Sequence, residues 1–273
     1  MEDCSLCRVA ATNPAYRRAW SVTVTAKKHP PNDVGKISVV TLIPLSYVHR
    51  ARECLASMAR LKSCECWCIA YDFDPAVLSW EYPHVRFVPM ARHPFEWIQW
   101  GPWLDALPDA TSRVLIHCDA DTAFQRDLLP QEIERFNAYD DRTFGVGMND
   151  GPYDSLFDEG KRGNLDNDDA YYGTWDSLQE IRCFNVGFMV ASRTAWRTLQ
   201  ERYRPEWLRF DTKCHHPARC QWLICWCLAK LGLTIDELGN EIHCHGHFGT
   251  PPNVEWKAHY KDQLILFKHA MRP

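Results

Sequence analysis

Arg113 to Leu128 reads RVLIHCDADTAFQRDL, and the fold is decided by how that stretch is read. It opens with Val114-Leu115-Ile116, a run of strand formers too short for a helix of its own. The run stops at Asp119-Ala120-Asp121, two carboxylates one residue apart, followed by Thr122 and a polar connection. In open α/β sheets the C-terminal ends of the strands line the crevice where ligands bind. Carboxylates at such an end suit a hard divalent cation, which neutralises phosphate oxygens in turn. Asp is also a common turn residue, so the pair taken alone describes a solvated turn equally well.

Upstream, Lys36 to Leu45 is a β-branched run of the kind that fills a central parallel strand. Tyr47 to Leu61 follows with helical spacing, Tyr47, Ala51, Leu55, Met58 and Leu61 forming one apolar stripe. Strand, loop and helix in that order open a nucleotide-binding type of α/β fold. The loop between them contains neither GxGxxG nor GxxxxGK[ST], which excludes the usual dinucleotide fold and a P-loop. Cys64 to Asp72 reads as a second strand ending at a carboxylate, with Cys64, Cys66 and Cys68 sharing one face. Val85 to Val88 makes a short third strand. Arg92 to Trp103 is dense in aromatics and runs into a helix or turn ending at Leu107.

Downstream, Asp127 to Asn137 has an amphipathic helix pattern and Thr143 to Met148 another strand. Residues 149–176 change character, being polar, acidic and glycine-bearing; so long an unpatterned insert suits a lid or acceptor loop, or a solvated surface loop. Cys183 to Val190 returns to a strand containing Asn185 and Gly187, and glycine inside a strand pattern signals close approach of a backbone or ligand. Ser192 caps a helix from Arg193 to Tyr203. A second helix runs from Ala218 to Leu231 and closes at Gly232. His243-Cys244-His245-Gly246-His247 and a terminal apolar run, Leu264 to Phe267, ending at His269, complete the chain. The expected architecture is one α/β domain with a mainly parallel central sheet flanked by helices, residues 36–273, after a lead-in at 1–35.

Composition bounds the rest. The 273 residues, 24% charged and 46% hydrophobic, describe an ordinary globular chain with room for a sizeable core. A net charge of −4 provides no basic field for nucleic acid. No apolar run is long enough to span a membrane, and no signal-peptide pattern opens the sequence. Thirteen cysteines, an odd number, then read as reduced thiols in a cytoplasmic protein. Twelve tryptophans suit either a core or the walls of a sugar site.

The set ISVVTLIP, VLIHCDADT, FNVGFMV, Cys220-Gln221-Trp222 and LILFKH, in that order, resembles the GT-A glycosyltransferases from about residue 36 to residue 270. The layout looks most like glycosyltransferase family 8 and its relatives. The resemblance implies a Rossmann-like GT-A domain that moves a hexose from a nucleotide sugar, UDP-linked, to a hydroxyl acceptor with the help of Mn²⁺ or Mg²⁺. It places Asp119 and Asp121 on the metal, Asp119 also on the ribose, with Ala120 between them. His269 matches the terminal metal-ligating histidine, and His245 or His247 is the alternative. Thr41, Ile43, Pro44 and Tyr47 would lie by the nucleotide, Tyr47 as a stacking partner, and Asp72 by the base or ribose. Asn185 and Gly187 would face the donor sugar, and Gln221 the anomeric carbon, which favours retention of configuration. Asp176, Glu180 or Asp211 could instead serve as the base of an inverting reaction.

The chain departs from the family in two places. Arg219-Cys220 stand where Asp usually precedes the glutamine, and the arginine ahead of the DxD has only Arg92 as a loose match. Two other readings remain open. A zinc-binding interaction module would use Cys214, His215, His216, Cys220 and the histidine cluster. A sugar-nucleotide pyrophosphorylase shares the architecture but carries a glycine-rich loop that is absent here. Trp100, Trp103, Tyr171, Tyr172 and Trp175 are candidate aromatic platforms for the acceptor.

Overall fold

The computed structural model describes residues 37–91, 103–108, 111–147, 155–158, 171–210, 219–239, 242–245, 259–260, 263–264 and 267–269. The lead-in, Arg92 and most of the 149–176 insert lie outside them. Strand β1 (Ile37–Pro44) is followed by a 3-10 turn (Leu45–Tyr47) and helix α1 (Val48–Ser57). Then come β2 (Cys64–Tyr71), α2 (Ala76–Glu81), β3 (Val85–Met90), α3 (Trp103–Ala106), β4 (Val114–Cys118) and β5 (Thr122–Phe124). Next are α4 (Pro130–Asn137), β6 (Thr143–Gly147), α5 (Trp175–Gln179), β7 (Asn185–Ser192), α6 (Arg193–Phe210) and α7 (Arg219–Lys230). The chain ends with β8 (Thr234–Leu238), β9 (His243–His245), β10 (His259–Tyr260), β11 (Gln263–Leu264) and β12 (Phe267–His269).

Seven strands form the central sheet in the order β3-β2-β1-β4-β7-β6-β8. The pairs β3·β2, β2·β1, β1·β4 and β6·β8 are parallel, while β7 is antiparallel to both β4 and β6. Six strands therefore run one way and β7 alone runs the other. Alternation along β1 sorts its side chains between two core layers. Val40 joins Trp67, Leu115, Met189 and the apolar faces of α6 and α7. Ile37, Val39 and Ile43 pack on the other side with Ala51 and Leu55 of α1 and Phe136 of α4. Each such side chain taken fully out of water stabilises the fold by roughly 1.5–3 kcal/mol. The expected stripe on α1 is the buried one.

One helix differs from the sequence expectation. Helix α6 does not stop at Tyr203 but continues through Pro205 to Phe210. Pro removes one backbone hydrogen bond, yet burial of Glu206, Trp207 and Phe210 beyond it keeps the helix going. At its start Ser192 caps as expected, its Oγ accepting from the Ala195 N–H at 3.1 Å. Of the terminal apolar run, Leu264 falls in β11 and Phe267 in β12, and residues 265 and 266 lie outside the described residues. β12 pairs with β5 and β9 in a separate three-stranded sheet.

Among the described residues the tryptophans are largely core, Trp80 being the exposed exception at 89%. Trp103, Trp196, Trp222 and Trp226 are buried. The indole N–H groups of Trp196, Trp222 and Trp226 donate to the carbonyls of Leu115, Leu156 and Tyr172 at 3.1, 2.7 and 2.6 Å. A buried indole needs such an acceptor, so these residues are structural.

Candidate active site

The strand order has a switch point between β1 and β4: the chain leaves β1 toward β2 on one side and reaches β4 on the other. The crevice outside the strand ends at such a point is where α/β sheets bind ligands. Asp119-Ala120-Asp121 leaves β4 at that crevice, and the 3-10 turn with Tyr47 leaves β1 beside it. Asp119 and Asp121 are half-buried and Ala120 is buried between them.

The backbone of this turn is fastened from three sides. The Asp119 N–H donates to the Gly187 carbonyl at 2.9 Å. The Thr122 hydroxyl donates to the Asp119 carbonyl. From α1, Ser57 Oγ accepts from the Phe124 N–H at 2.9 Å, and Arg60 just beyond it donates to the Phe124 carbonyl at 3.0 Å. The sequence reading missed Ser57, Arg60 and Thr122 because only the fold brings α1 over β5. The Tyr47 hydroxyl donates to Asp121 Oδ2 at 2.9 Å, and the Arg50 guanidinium lies over the Tyr47 ring, 5.3 Å from its centroid.

Because β7 is antiparallel to β4, its first residues lie where β4 ends. Asn185 and Gly187 thus come to the DxD turn. Asn185 is buried, and its Oδ1 accepts from the Gly187 N–H at 2.8 Å. Gln221, half-buried in the first turn of α7, reaches Cys183 Sγ at 3.7 Å, two residues before Asn185. That places Gln221 near the start of β7.

The rest of the expected set divides. Thr41 and Ile43 are fully buried in β1 beneath α1, so Pro44 and Tyr47, both half-buried, are the residues of that group that reach the surface. Asp72 is exposed just past the end of β2, its N–H donating to the Met90 carbonyl at 2.8 Å. Its φ of 62° is a left-handed conformation that Asp tolerates better than most residues. Asp176 and Glu180, at the two ends of α5, are exposed. Asp211, Trp100, Cys214, His215, His216 and His247 lie outside the described residues. Trp103 and Tyr172 are core, whereas Tyr171 is 41% exposed and Trp175 half-buried.

Backbone register relates the histidine strands to the strand that follows the DxD turn. β12 runs antiparallel to β5 with His269 opposite Thr122, and parallel to β9 with His269 opposite His245. Thr122 directly follows Asp121, so His269 occupies the register position beside the DxD turn, and His245 stands one strand further out. Carboxylate oxygen and imidazole nitrogen are the donor types that suit a first-row or similar divalent cation. Among the described residues, no three His, Cys, Asp or Glu side chains are grouped as a metal site.

Under the turn lie the buried thiols of Cys54, Cys68 and Cys118. Burial pushes the Cys68 and Cys118 thiols well above their ordinary range, which keeps them protonated. On the other face of β4, His117 is buried between Trp103 and Trp196, with ring centroids 5.3 and 6.1 Å away. Burial lowers its pKa to about 3, so the ring is neutral.

No family model matches the chain, and no curated protein sequence matches it. Solved structures do. The galactosyltransferase LgtC in complex with donor and acceptor sugar analogs matches with a TM-score of 0.52 at 12% identity, covering 86% of this chain and 87% of that one. An active-site mutant of LgtC matches with a TM-score of 0.52 at 9% identity, over 86% and 88%. Mouse xyloside xylosyltransferase 1, in its apo form, matches with a TM-score of 0.53 at 11% identity, over 86% and 97%. At these identities the likeness is one of fold, and the fold is GT-A. No helix among the described residues is long and apolar enough to cross a membrane.

Proposed function

We propose that the chain is a metal-dependent glycosyltransferase, moving a hexose from a UDP-linked donor to a hydroxyl acceptor. The supporting observation is the meeting of four segments at one strand-end crevice. These are the DxD turn after β4, the Tyr47 turn after β1, the start of β7, and the paired strands that carry His245 and His269.

Position supports the following roles. Asp119 and Asp121 hold Mn²⁺ or Mg²⁺, with His269 as the third protein ligand and His245 as the alternative. The bound cation supplies positive charge to a leaving diphosphate, whose developing charge is otherwise unscreened. Pro44, Tyr47 and Asp72 line the nucleotide side, with the base taking the place of the exposed Arg50 guanidinium on the Tyr47 ring. Asn185 and Gly187 form the floor under the donor sugar. Gln221 faces the anomeric carbon, and the departing phosphate takes the acceptor proton, which retains configuration. Exposed Tyr171 and half-buried Trp175 offer the acceptor its apolar surface.

The test is a panel of UDP- and GDP-sugars incubated with the purified full chain, with and without Mn²⁺, reading nucleotide release. The expected result is release from a UDP-hexose that EDTA stops and added Mn²⁺ restores. Undiminished release in EDTA, or no release and no binding with any donor, would overturn the reading.

A further inference from the structure

The hydroxyl of Tyr47 and its ring have different neighbours. The hydroxyl donates to Asp121 Oδ2 at 2.9 Å. The ring packs partly against the core layer under α1, and Arg50 covers it with its guanidinium 5.3 Å from the centroid. Arg50 is itself exposed. Tyr47 therefore spans the switch point, standing on the strand end that carries the nucleotide side and gripping a carboxylate on the strand end that carries the metal side.

The Gly187 carbonyl, the Thr122 hydroxyl, Ser57 and Arg60 hold the backbone of the DxD turn. None of those contacts fixes the rotation of the Asp121 side chain. A carboxylate turns about its own side-chain torsions, and a bond to one of its oxygens sets the plane of the group. Outer partners of this kind orient metal-ligating carboxylates and tune the affinity of the site. A phenol O–H on an ionised acceptor is charge-assisted, hence short and directional.

We propose that Tyr47 is a positioning residue that couples the two halves of the site: its hydroxyl sets the Asp121 carboxylate for the cation while its ring forms the nucleotide side. The inference rests on the metal-dependent reading above and goes beyond it by predicting linkage. Nucleotide that replaces the exposed Arg50 guanidinium on the ring fixes the hydroxyl, and the hydroxyl fixes the aspartate. By reciprocity, metal tightens nucleotide binding by the same factor that nucleotide tightens metal binding.

The experiment measures binding rather than turnover. Mn²⁺ affinity is read by electron paramagnetic resonance titration of the full chain, with and without UDP. UDP affinity is read by calorimetry in EDTA and in Mn²⁺. In Tyr47→Phe, which keeps the ring and removes the hydroxyl, Mn²⁺ affinity is expected to fall about 10- to 100-fold. UDP affinity in EDTA should stay unchanged, and the mutual tightening of the two ligands should shrink. In an Asp121→Ala background the same Tyr47→Phe change should have no further effect on Mn²⁺ binding, since the partner it orients is gone.

Mn²⁺ affinity and linkage equal to wild type in Tyr47→Phe would overturn the coupling and leave the transferase reading standing. Loss of UDP binding in EDTA would also overturn it, because the hydroxyl would then be reading the nucleotide. Absence of Mn²⁺ binding in the wild-type chain would remove both readings together. A thermal melt of Tyr47→Phe within a few degrees of wild type keeps misfolding apart from these outcomes.

Discussion

Tyr47 and Asp121 are hydrogen-bonded at 2.9 Å although 74 residues separate them in the chain. Their bond closes the gap between the ends of β1 and β4, the two strands that flank the switch point of the sheet. Everything expected of the site depends on those strand ends being neighbours, and the parallel pairing of Thr41 with Cys118 makes them so.

Removing either carboxylate should separate activity from stability. Asp119 and Asp121 are only half-buried, so Asp119→Asn and Asp121→Asn should melt close to wild type. Their metal-dependent nucleotide release should fall by more than ~100-fold, since even outer-shell losses cost metal sites 10- to 100-fold. Release rates alongside melting curves check this, and retained release in Asp121→Asn counts against a metal role for that residue.

The histidines are paired by register, His269 opposite His245, with His269 also opposite Thr122. His269→Ala is expected to raise the Mn²⁺ concentration needed for half-maximal release by ~10-fold or more, with a smaller effect from His245→Ala. Manganese titrations of the two variants decide between them. The opposite ranking would make His245 the ligand.

Gly145 leaves no room for a side chain. A Cβ there would sit 2.6 Å from both the Tyr139 hydroxyl and Val190 Cγ1, and Tyr139 is held by Asp236. Gly145→Ala should therefore destabilise the protein by roughly 1–3 kcal/mol, the usual cost of overpacking. Urea unfolding measures it. An unchanged midpoint would mean that β6 and β7 part at little cost.

The cysteines make a chemical prediction. Burial is the largest cause raising the thiols of Cys66, Cys68 and Cys227, and it carries Cys64 up to about 12. At pH 8 the folded protein should resist alkylation by iodoacetamide at Cys66, Cys68 and Cys227, and label there only after unfolding. Peptide mass spectrometry reads this directly. Full labelling of Cys66 or Cys68 in the native protein would contradict their burial.

Local order was legible in the sequence because it is written locally. The β-branched run of β1, the alternating cysteines of β2, the stripe on α1 and the strand ending at Asp119 all appear at their expected places within a few residues. Gly232 closes α7 as expected, with φ +59° and its N–H donating to the Ala229 carbonyl at 3.0 Å. Periodicity and end signals need only neighbours a turn or two away. They fail where distant packing overrides them, as at Pro205, where the buried residues beyond the proline keep α6 helical.

Strand direction is a different kind of fact. β7 is buried along its whole length, so its sequence has no polar face to orient it. Its antiparallel course is set by hydrogen bonds to β4 and β6, which lie far away in the chain. That reversal delivers Asn185 and Gly187 to Asp119; in a parallel strand they would start at the far end of the sheet. The sequence alone determined the carboxylates, the strands that present them and the helices that cover them. The tertiary structure decided which residues stand beside Asp119 and Asp121, because that depends on pairings between residues tens of positions apart, as between Tyr47 and Asp121 or Thr122 and His269.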